Sequence, residues 1–232
     1  MRINVAAFAV LAVVVTAGCA GALLGEDLDF ESGETVIEES TAQDAGYELQ
    51  LSEREEYSQT IDVGDDGNQT NVTVKSHMAR YGQVDDDMPA GTGPVQVGTV
   101  TIPEATIAGQ SVNPLLQMDT YELAARYVGG FDESGFEEHD DYTLQPFDDG
   151  SDANVTVFRV EPDEPDAEPT AFIHVLQTQR DDTGDTIIGY VMYPVDEAES
   201  ETAERLLGAL EYTPPEELED SDAEAENEAG DE

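Results

Sequence analysis

Basic side chains are scarce in this sequence. Its 232 residues include 54 Asp and Glu but only 8 Lys and Arg, which gives a formal net charge of −46 at pH 7. Nucleic acids are bound by basic surfaces that neutralise phosphates. One lysine, Lys75, and seven arginines cannot form such a surface. The composition therefore predicts no nucleic-acid partner.

The acidic excess extends through the body of the chain. Residues 216–232 contain ten acidic residues and no basic ones, yet residues 19–215 still contain 44 acidic against 7 basic residues. Repulsion at this charge density opposes a compact state in dilute salt. At about 1 M salt the Debye length falls to roughly 3 Å, and the repulsion is largely screened. The sequence thus indicates a halophilic protein adapted to molar salt.

Cysteine is nearly absent, and the one cysteine, Cys19, follows an apolar stretch. The stretch from Ile3 to Ala17 is shorter than the about 20 residues of a spanning helix and is typical of a secretory signal. Thr16-Ala17-Gly18-Cys19 resembles a lipobox, in which lipid alkylates the cysteine sulfur. The alternative is a buried cysteine in an uncleaved anchor helix. We expect residues 1–18 to be a signal peptide and Cys19 to carry lipid on the extracellular face of the cell membrane.

The chain beyond Cys19 has the length of one ordinary domain. Its 39% of hydrophobic residues suffice for a core. We predict a lipid-anchored tether over residues 19–33 and a single α+β domain over residues 34–213. Residues 214–232 are too charged and too poor in apolar groups to fold, which predicts a disordered acidic tail.

Alternation of apolar and polar residues, interrupted by turn residues, recurs along this domain and is typical of strands. The predicted strands cover residues 47–51, 57–63, 71–75, 95–102, 142–147, 154–160, 171–178 and 186–193. Polar turn segments at residues 65–68 and 179–185 predict two hairpins. Short polar turns between consecutive strands favour an antiparallel sheet.

Two helices are predicted beside these strands. Asp119 and Glu122 have the spacing of a capping box at the start of the first. The second has apolar residues at the i, i+3, i+4, i+7 spacing of an amphipathic helix: Ala203, Leu206, Leu207 and Leu210. The predicted fold is therefore α+β, an antiparallel β-sheet of about six to eight strands covered on its hydrophobic face by two helices.

Short motifs spread over the chain are similar to those of a known family. Beside the lipobox and the acidic tether they are Leu28-Asp29-Phe30, Ala45-Gly46-Tyr47-Glu48, Ser111-Val112-Asn113-Pro114-Leu115 and Gly189-Tyr190-Val191-Met192-Tyr193-Pro194. With these motifs, most of residues 19–212 resembles a family of predicted haloarchaeal lipoproteins of unknown function. The hairpin and helix at the end also resemble the Mog1/PsbP-like α/β sandwich. Neither resemblance implies a catalytic residue, and a shared fold would not imply a function.

The three histidines, His77, His139 and His174, lie far apart in the sequence. A metal site needs clustered ligands at suitable spacing, so the sequence predicts no metal site. His174 alternates with Phe172 and Leu176 on one strand face, which predicts a buried histidine with satisfied hydrogen bonds. His139 lies in an acidic run that is expected to be solvated.

Acidic loops at residues 62–67 and 181–185 are similar to parts of a calcium loop. Counted from Asp62, however, the EF-hand pattern requires Glu where Thr73 stands, so it fails. The sequence also lacks a G-x-S-x-G elbow, a P-loop and a G-x-G-x-x-G motif. We therefore predict no catalytic residue and no cofactor. Three sequons mark possible N-glycosylation at Asn68, Asn71 and Asn154.

The sequence favours a secreted, lipid-anchored protein with a non-enzymatic role in binding or envelope maintenance. The alternative is a small carrier or solute-binding lipoprotein for a hydrophobic or cationic ligand. An envelope hydrolase stays open as a third class, without a motif in its favour. A pocket lined by apolar side chains would favour the carrier, whereas a filled core would favour the binding module. Histidines and carboxylates that converge in a cleft would favour an enzyme. The membrane, contacted through lipid on Cys19, is the only partner that the sequence predicts.

Overall fold

The computed structural model describes residues 27–63, 68–84, 95–107, 110–128, 136–160, 171–195 and 199–218. The strands are β1 (Leu28–Glu31), β2 (Glu34–Ile37), β3 (Tyr47–Val63), β4 (Asn68–Gln83), β5 (Gln96–Ile102), β6 (Thr106–Ile107), β7 (Gln110–Ser111), β8 (Phe136–Leu144), β9 (Ala153–Val160), β10 (Ala171–Gln179), β11 (Thr186–Pro194) and β12 (Leu210–Thr213). The α-helices are α1 (Glu39–Asp44), α2 (Thr120–Tyr127) and α3 (Ser200–Leu207), and a 3-10 turn covers Pro114–Gln117.

Eight of the described strands form one mixed sheet. Its order is β1-β4-β5-β11-β10-β9-β8, and β3 pairs with the other edge of β4. Strand β4 is long enough to pair with two strands on the same edge. Residues 72–75 of β4 lie beside β1, and residues 77–81 lie beside β5. The β1–β4 pair is parallel, whereas the other pairs of this sheet are antiparallel.

The two predicted hairpins are confirmed. Strands β3 and β4 pair from Tyr47↔Gln83 to Val63↔Asn68 around the first turn segment. Strands β10 and β11 pair from Ala171↔Pro194 to Gln179↔Thr186 around the second. The segment Leu28–Glu31 falls within the range that the sequence assigned to a tether, and it forms β1 of the main sheet.

Both faces of the main sheet are covered, which corrects the predicted fold class. Alternate residues of β11 belong to two different cores: Ile187 and Val191 pack with α3, whereas Ile188 and Met192 pack with α2. Successive strand residues point to opposite faces, so the two predicted helices lie on opposite sides of the sheet. The prediction of an antiparallel sheet with both helices on one face is wrong. The molecule is mostly β, with a mixed sheet and a few short helices.

The continuous apolar run of β11 explains this arrangement. All residues from Thr186 to Tyr193 are buried, as expected for a central strand with both faces in a core. The run Ile187-Ile188-Gly189-Tyr190-Val191-Met192-Tyr193 has almost no polar residues, so it supplies apolar side chains to both faces of the sheet. The helices themselves are short, with six residues in α1 and eight each in α2 and α3.

A two-stranded ribbon of β2 and β12 lies across the α3 side of the main sheet. Its contacts are polar as well as apolar. Tyr81 Oη accepts a 2.7 Å hydrogen bond from the Ile37 N–H, and Thr101 Oγ1 donates a 2.8 Å bond to Thr35 Oγ1. Thr99 donates a hydrogen bond to the Thr35 carbonyl. These bonds satisfy buried polar groups and fix the ribbon against β4 and β5.

A candidate binding site: the aromatic pocket beside α3

His174 lies at the centre of a buried hydrogen-bonded trio on the α3 side of the sheet. Its side chain is 2% exposed. Nδ1 lies 2.8 Å from Tyr142 Oη, and Nε2 lies 2.9 Å from Tyr193 Oη. A neutral imidazole has one donor and one acceptor nitrogen, so one tyrosine accepts a hydrogen bond from the ring and the other donates one. The predicted buried and satisfied His174 is confirmed.

The strand register explains why two tyrosines reach one histidine. His174 lies opposite Val157 of β9 and Val191 of β11. Tyr142 and Tyr193 lie in the adjacent rows of side chains, on opposite sides of the His174 row. Tyr193, on the adjacent strand β11, is a diagonal neighbour of His174 and therefore within reach of it. Tyr142, on β8, lies two strands away and extends over the small valines of β9 to meet the imidazole.

A β-bulge brings the outermost strand into this arrangement. In the β8–β9 register, Glu138 pairs with Phe158 and Asp140 pairs with Val157, which leaves His139 as the extra residue. Bulges of this kind redirect side chains. Before the bulge, Phe136 packs into the α2-side core; after it, Tyr142 packs on the α3 side. The bulge therefore allows one edge strand to contribute to both faces and brings His139 and Asp140 to the rim of one pocket.

We call this depression the aromatic pocket; its volume is about 250 Å³. The lining residues come from strands β8 to β11 and helix α3: His139, Asp140, Tyr142, Val157, Phe172, His174, Tyr193, Ser200 and Glu204. The half-buried Phe172 ring lies between His139 and Tyr193, with ring centroids 5.2 and 6.1 Å away. The carboxylates of Asp140 and Glu204 are on exposed residues of the rim. The pocket thus combines an aromatic floor with an acidic rim.

Burial determines the protonation states in this pocket. It lowers the pKa of His174 to about 4, although the nearby Asp140 charge opposes the shift. Burial raises the pKa of the Tyr142 hydroxyl, and the charges of Glu204 and Tyr193 act in the same direction. Burial also raises the pKa of Tyr193, against a hydrogen bond with Ser200. At neutral pH the trio is therefore uncharged, and the rim acids supply the charge.

Two other grooves are larger but have less suitable chemistry. A groove of about 690 Å³ runs past Phe147 and Tyr212, whose rings lie 5.1 and 5.0 Å from the Arg180 guanidinium. Asp149 and Asp182 already bind that guanidinium at 2.7 and 3.0 Å. A groove of about 510 Å³ lies beside Tyr47 and Tyr81 at the α1 end of β3. The aromatic pocket differs from both grooves in the hydrogen-bonded trio of His174, Tyr142 and Tyr193 among its lining residues.

The third histidine lies outside the pocket. His77 Nε2 accepts a 3.1 Å hydrogen bond from Arg54 Nε, and Glu31 lies 2.9 Å from Arg54 Nη2. Burial and, after it, the Arg54 charge lower the pKa of His77. Within the described ranges, no three His, Cys, Asp or Glu side chains are placed to hold a metal ion.

The remaining sequence predictions fall partly outside the described residues. Cys19, the proposed signal peptide and residues 219–232 lie there, as does most of the 62–67 acidic loop. Asn68 begins β4. Asn71 is exposed on β4 and Asn154 is exposed on β9, and Asn71 Nδ2 donates a 2.9 Å hydrogen bond to Asp27. Glycosylation at these asparagines stays a prediction.

The sequence placed Phe172 on the strand face of His174, but it did not indicate Tyr142 and Tyr193 as the hydrogen-bond partners of that histidine. One signal was available: a hairpin centred on the 179–185 loop places Tyr193 opposite Phe172. The bulge at His139 had no signal in the sequence, because it depends on how β8 pairs with β9. Glu204 had no signal as a site residue in the sequence, and its place at the rim follows from where α3 packs.

Comparison with known proteins identifies one family. A family model described as Domain of unknown function (DUF6517) matches residues 34–211. This chain belongs to that family. The matched range includes every residue that lines the aromatic pocket. The predicted resemblance to a family of unknown function is confirmed at that level. No curated protein and no solved structure matches the chain significantly.

None of the helices in the described ranges is both long enough and apolar enough to cross a bilayer.

Proposed function

We propose that this domain is a non-enzymatic binding module of a haloarchaeal lipoprotein, held on the extracellular face of the cell membrane by lipid on Cys19. Its binding site is the aromatic pocket. The single observation that supports this assignment is the convergence of Phe172, Tyr193 and the His174 trio with rim carboxylates in one open depression. Sites with apolar walls and a few placed polar groups are the usual form of small-molecule sites.

The filled core favours a binding module over a carrier that encloses its ligand. On the α3 side, Leu206 and Leu207 of the helix are fully buried against the sheet. On the α2 side, Leu123 and Tyr127 are buried in the same way. The aromatic pocket is a depression at the end of the α3 layer. Its volume of about 250 Å³ is smaller than that of the usual pockets for drug-sized ligands. It suits a small molecule or a single side chain.

The protonation states favour binding over catalysis. A general base or acid is most effective when its pKa lies near the working pH. Burial moves the pKa of His174 down to about 4 and the pKa values of both tyrosines upward, so all three lie far from neutrality. The trio is thereby suited to holding ring positions through hydrogen bonds.

The surface location is supported by the sequence at the N-terminus. The lipobox-like Thr16-Ala17-Gly18-Cys19 follows an apolar segment of signal-peptide length, and the charge of the chain suits a saline exterior. Lipid on one sulfur would anchor the protein stably if two or more acyl or alkyl chains are attached.

A fragment screen tests the binding site. Wild-type protein and Phe172→Ala are titrated in molar KCl with cationic, neutral and anionic fragments, and binding is followed by NMR. We expect fragments that shift the His139 ring signals of the wild type, with loss of these shifts in the variant. Phe136→Ala, on the opposite face of the sheet, is the matched control. A screen in which no fragment of any charge perturbs the pocket would contradict the proposed function.

The intact mass of the membrane-bound protein tests the anchor. We expect a chain that begins at Cys19 and carries an added lipid mass. Cys19→Ser should lose the lipid and keep a folded domain, since no core residue in the described ranges is a cysteine. A wild-type protein with residues 1–18 attached to an unmodified cysteine would refute the lipoprotein assignment.

A further inference from the structure

The chemistry of the aromatic pocket is more specific than a general small-molecule site. Three aromatic side chains lie side by side there: the Phe172 ring centroid is 5.2 Å from that of His139 and 6.1 Å from that of Tyr193. Two carboxylates, Asp140 and Glu204, complete the lining. Aromatic faces carry negative potential and attract cations at contact distance. Both kinds of group therefore favour the same sign of ligand charge.

The basic side chain on this stretch of sheet does not reverse that sign. Arg159 lies on β9 two residues beyond Val157, and its Nη2 is bound by Glu137 at 2.6 Å. The Arg159 charge is compensated by that ion pair. Glu199, at the start of α3, adds a further negative charge close to Tyr193. The groups around the pocket thus have a net negative charge.

The expected molar salt restricts which interactions can select a ligand. With a Debye length of roughly 3 Å, the general acidity of the protein attracts no particular cation from the bulk. Contact with aromatic faces depends on shape and short range, and it favours weakly hydrated organic cations over strongly hydrated metal ions. An alkylammonium group meets both requirements, because its methyl groups pack on rings and its charge faces the carboxylates.

From these observations we propose that the aromatic pocket binds a small organic cation with an alkylammonium group. The group lies against Phe172 and Tyr193, with Glu204 of α3 and Asp140 of the β8 bulge as its counter-charges. The hydrogen bonds between His174 and the hydroxyls of Tyr142 and Tyr193 hold the rings in place. This inference rests on the proposed function, since it specifies the ligand class of the same pocket.

Choline and its neutral carbon isostere, in which carbon replaces the quaternary nitrogen, form the deciding pair of probes. Both are titrated into the full chain in molar KCl at constant ionic strength, with NMR detection at the pocket rings. The two probes have nearly the same shape, so only the charge differs. We expect choline to bind at least about threefold more tightly than the isostere.

Two variants separate the contributions of the rings and the carboxylates. Phe172→Leu keeps an apolar side chain without the aromatic face, and Glu204→Gln keeps the shape without the charge. Each should weaken choline binding about three- to tenfold. Phe136→Leu and Glu201→Gln are the matched controls, on the opposite sheet face and at an exposed position of α3, and they should keep wild-type affinity.

The outcomes distinguish this inference from the proposed function. Binding of neutral or anionic fragments in the pocket, with no preference for choline over its isostere, would overturn the cation inference and leave the binding module intact. If no ligand of any charge binds in the pocket, both the cation inference and the proposed binding function are refuted. Phosphatidylcholine vesicles are used in a further experiment. Vesicle binding that depends on Phe172 would identify a lipid headgroup as the source of the cation, whereas binding of free choline without vesicle binding would identify a solute.

Discussion

The carboxylate of Asp185 accepts a 2.7 Å hydrogen bond from the backbone N–H of Gly33, a residue 152 positions earlier in the chain. The Tyr212 hydroxyl donates a 2.8 Å bond to the same oxygen. Asp185 is 3% exposed and lies at the end of the β10–β11 loop. One buried side chain therefore connects this loop to the chain entering β2 and to β12.

Asp185→Ala should destabilise the fold. The Gly33 N–H would lose its acceptor in a buried position, which costs about 1–3 kcal/mol of unfolding free energy. Asp185→Asn should cost less unfolding free energy, because the amide oxygen can still accept the hydrogen bonds from Gly33 and Tyr212. The charge itself is disfavoured at this site, since burial raises the pKa of the Asp185 carboxyl. Denaturant unfolding in molar KCl measures the difference. Equal losses for Ala and Asn would show that the charge itself is required.

The buried His174 should make stability depend on pH. Its pKa falls from 6.5 in the unfolded chain to about 4 in the fold, so the unfolded state binds more protons between these values. The contribution of neutral His174 is complete above about pH 6.5 and is lost as the pH falls towards 4. From the shift, the loss is at most about 3 kcal/mol.

His174→Gln isolates this effect, because both proteins share every other titrating group. Glutamine keeps a donor and an acceptor for the two tyrosines and does not titrate. We expect the unfolding free energy of the wild type to fall more steeply than that of the variant between about pH 6.5 and 4. Parallel pH profiles for the two proteins would show that His174 is not kept neutral by the fold.

Gly98 in β5 is required for close strand packing. A Cβ at this position would lie 2.5 Å from Tyr190 Oη and 2.7 Å from the Ala79 carbonyl oxygen, and the latter belongs to the backbone. Gly98→Ala should cost about 1–3 kcal/mol of unfolding free energy through overpacking. Gly189→Ala is the comparison, since its nearest obstacle is the flexible end of Leu207 at 2.8 Å. A larger loss at Gly189 than at Gly98 would contradict this account.

Salt should control folding of the whole domain. With 44 acidic and 7 basic residues between positions 19 and 215, repulsion is screened only when the Debye length is a few ångströms. We expect cooperative folding in molar KCl and loss of near-UV circular dichroism below about 0.15 M salt, where the Debye length is about 8 Å. A melting temperature that stays constant from about 3 M to about 0.1 M salt would refute the halophilic interpretation.

Local patterns in the sequence predicted local structure well. The Asp119–Glu122 capping box is present with both of its hydrogen bonds at 3.0 Å. Ala203, Leu206 and Leu207 form the buried face of α3 as their spacing indicated. These features depend on neighbouring residues only, because a cap or a helix face is formed within a few residues of chain.

The predicted second helix was too long at its C-terminal end, where its apolar series continues into a strand. Leu210, fourth in the apolar series of the predicted helix, lies in β12 and pairs with Ile37. Strand pairing with a segment far away in sequence competed with one more turn of helix and prevailed, because it buries Leu210 beside Ile37.

The sequence by itself determined the acidic character, the positions of the main strands and two of the helices, since composition and short-range periodicity encode these directly. The tertiary structure decided the parallel β1–β4 pair, the placement of α2 and α3 on opposite faces, and the bulge that brings His139 to the rim beside Phe172. Each of these depends on contacts between residues distant in the chain. These contacts are stabilised by the burial of both faces of one sheet. A local pattern shows how side chains alternate along a strand, but it does not determine which helix or strand will pack on each face.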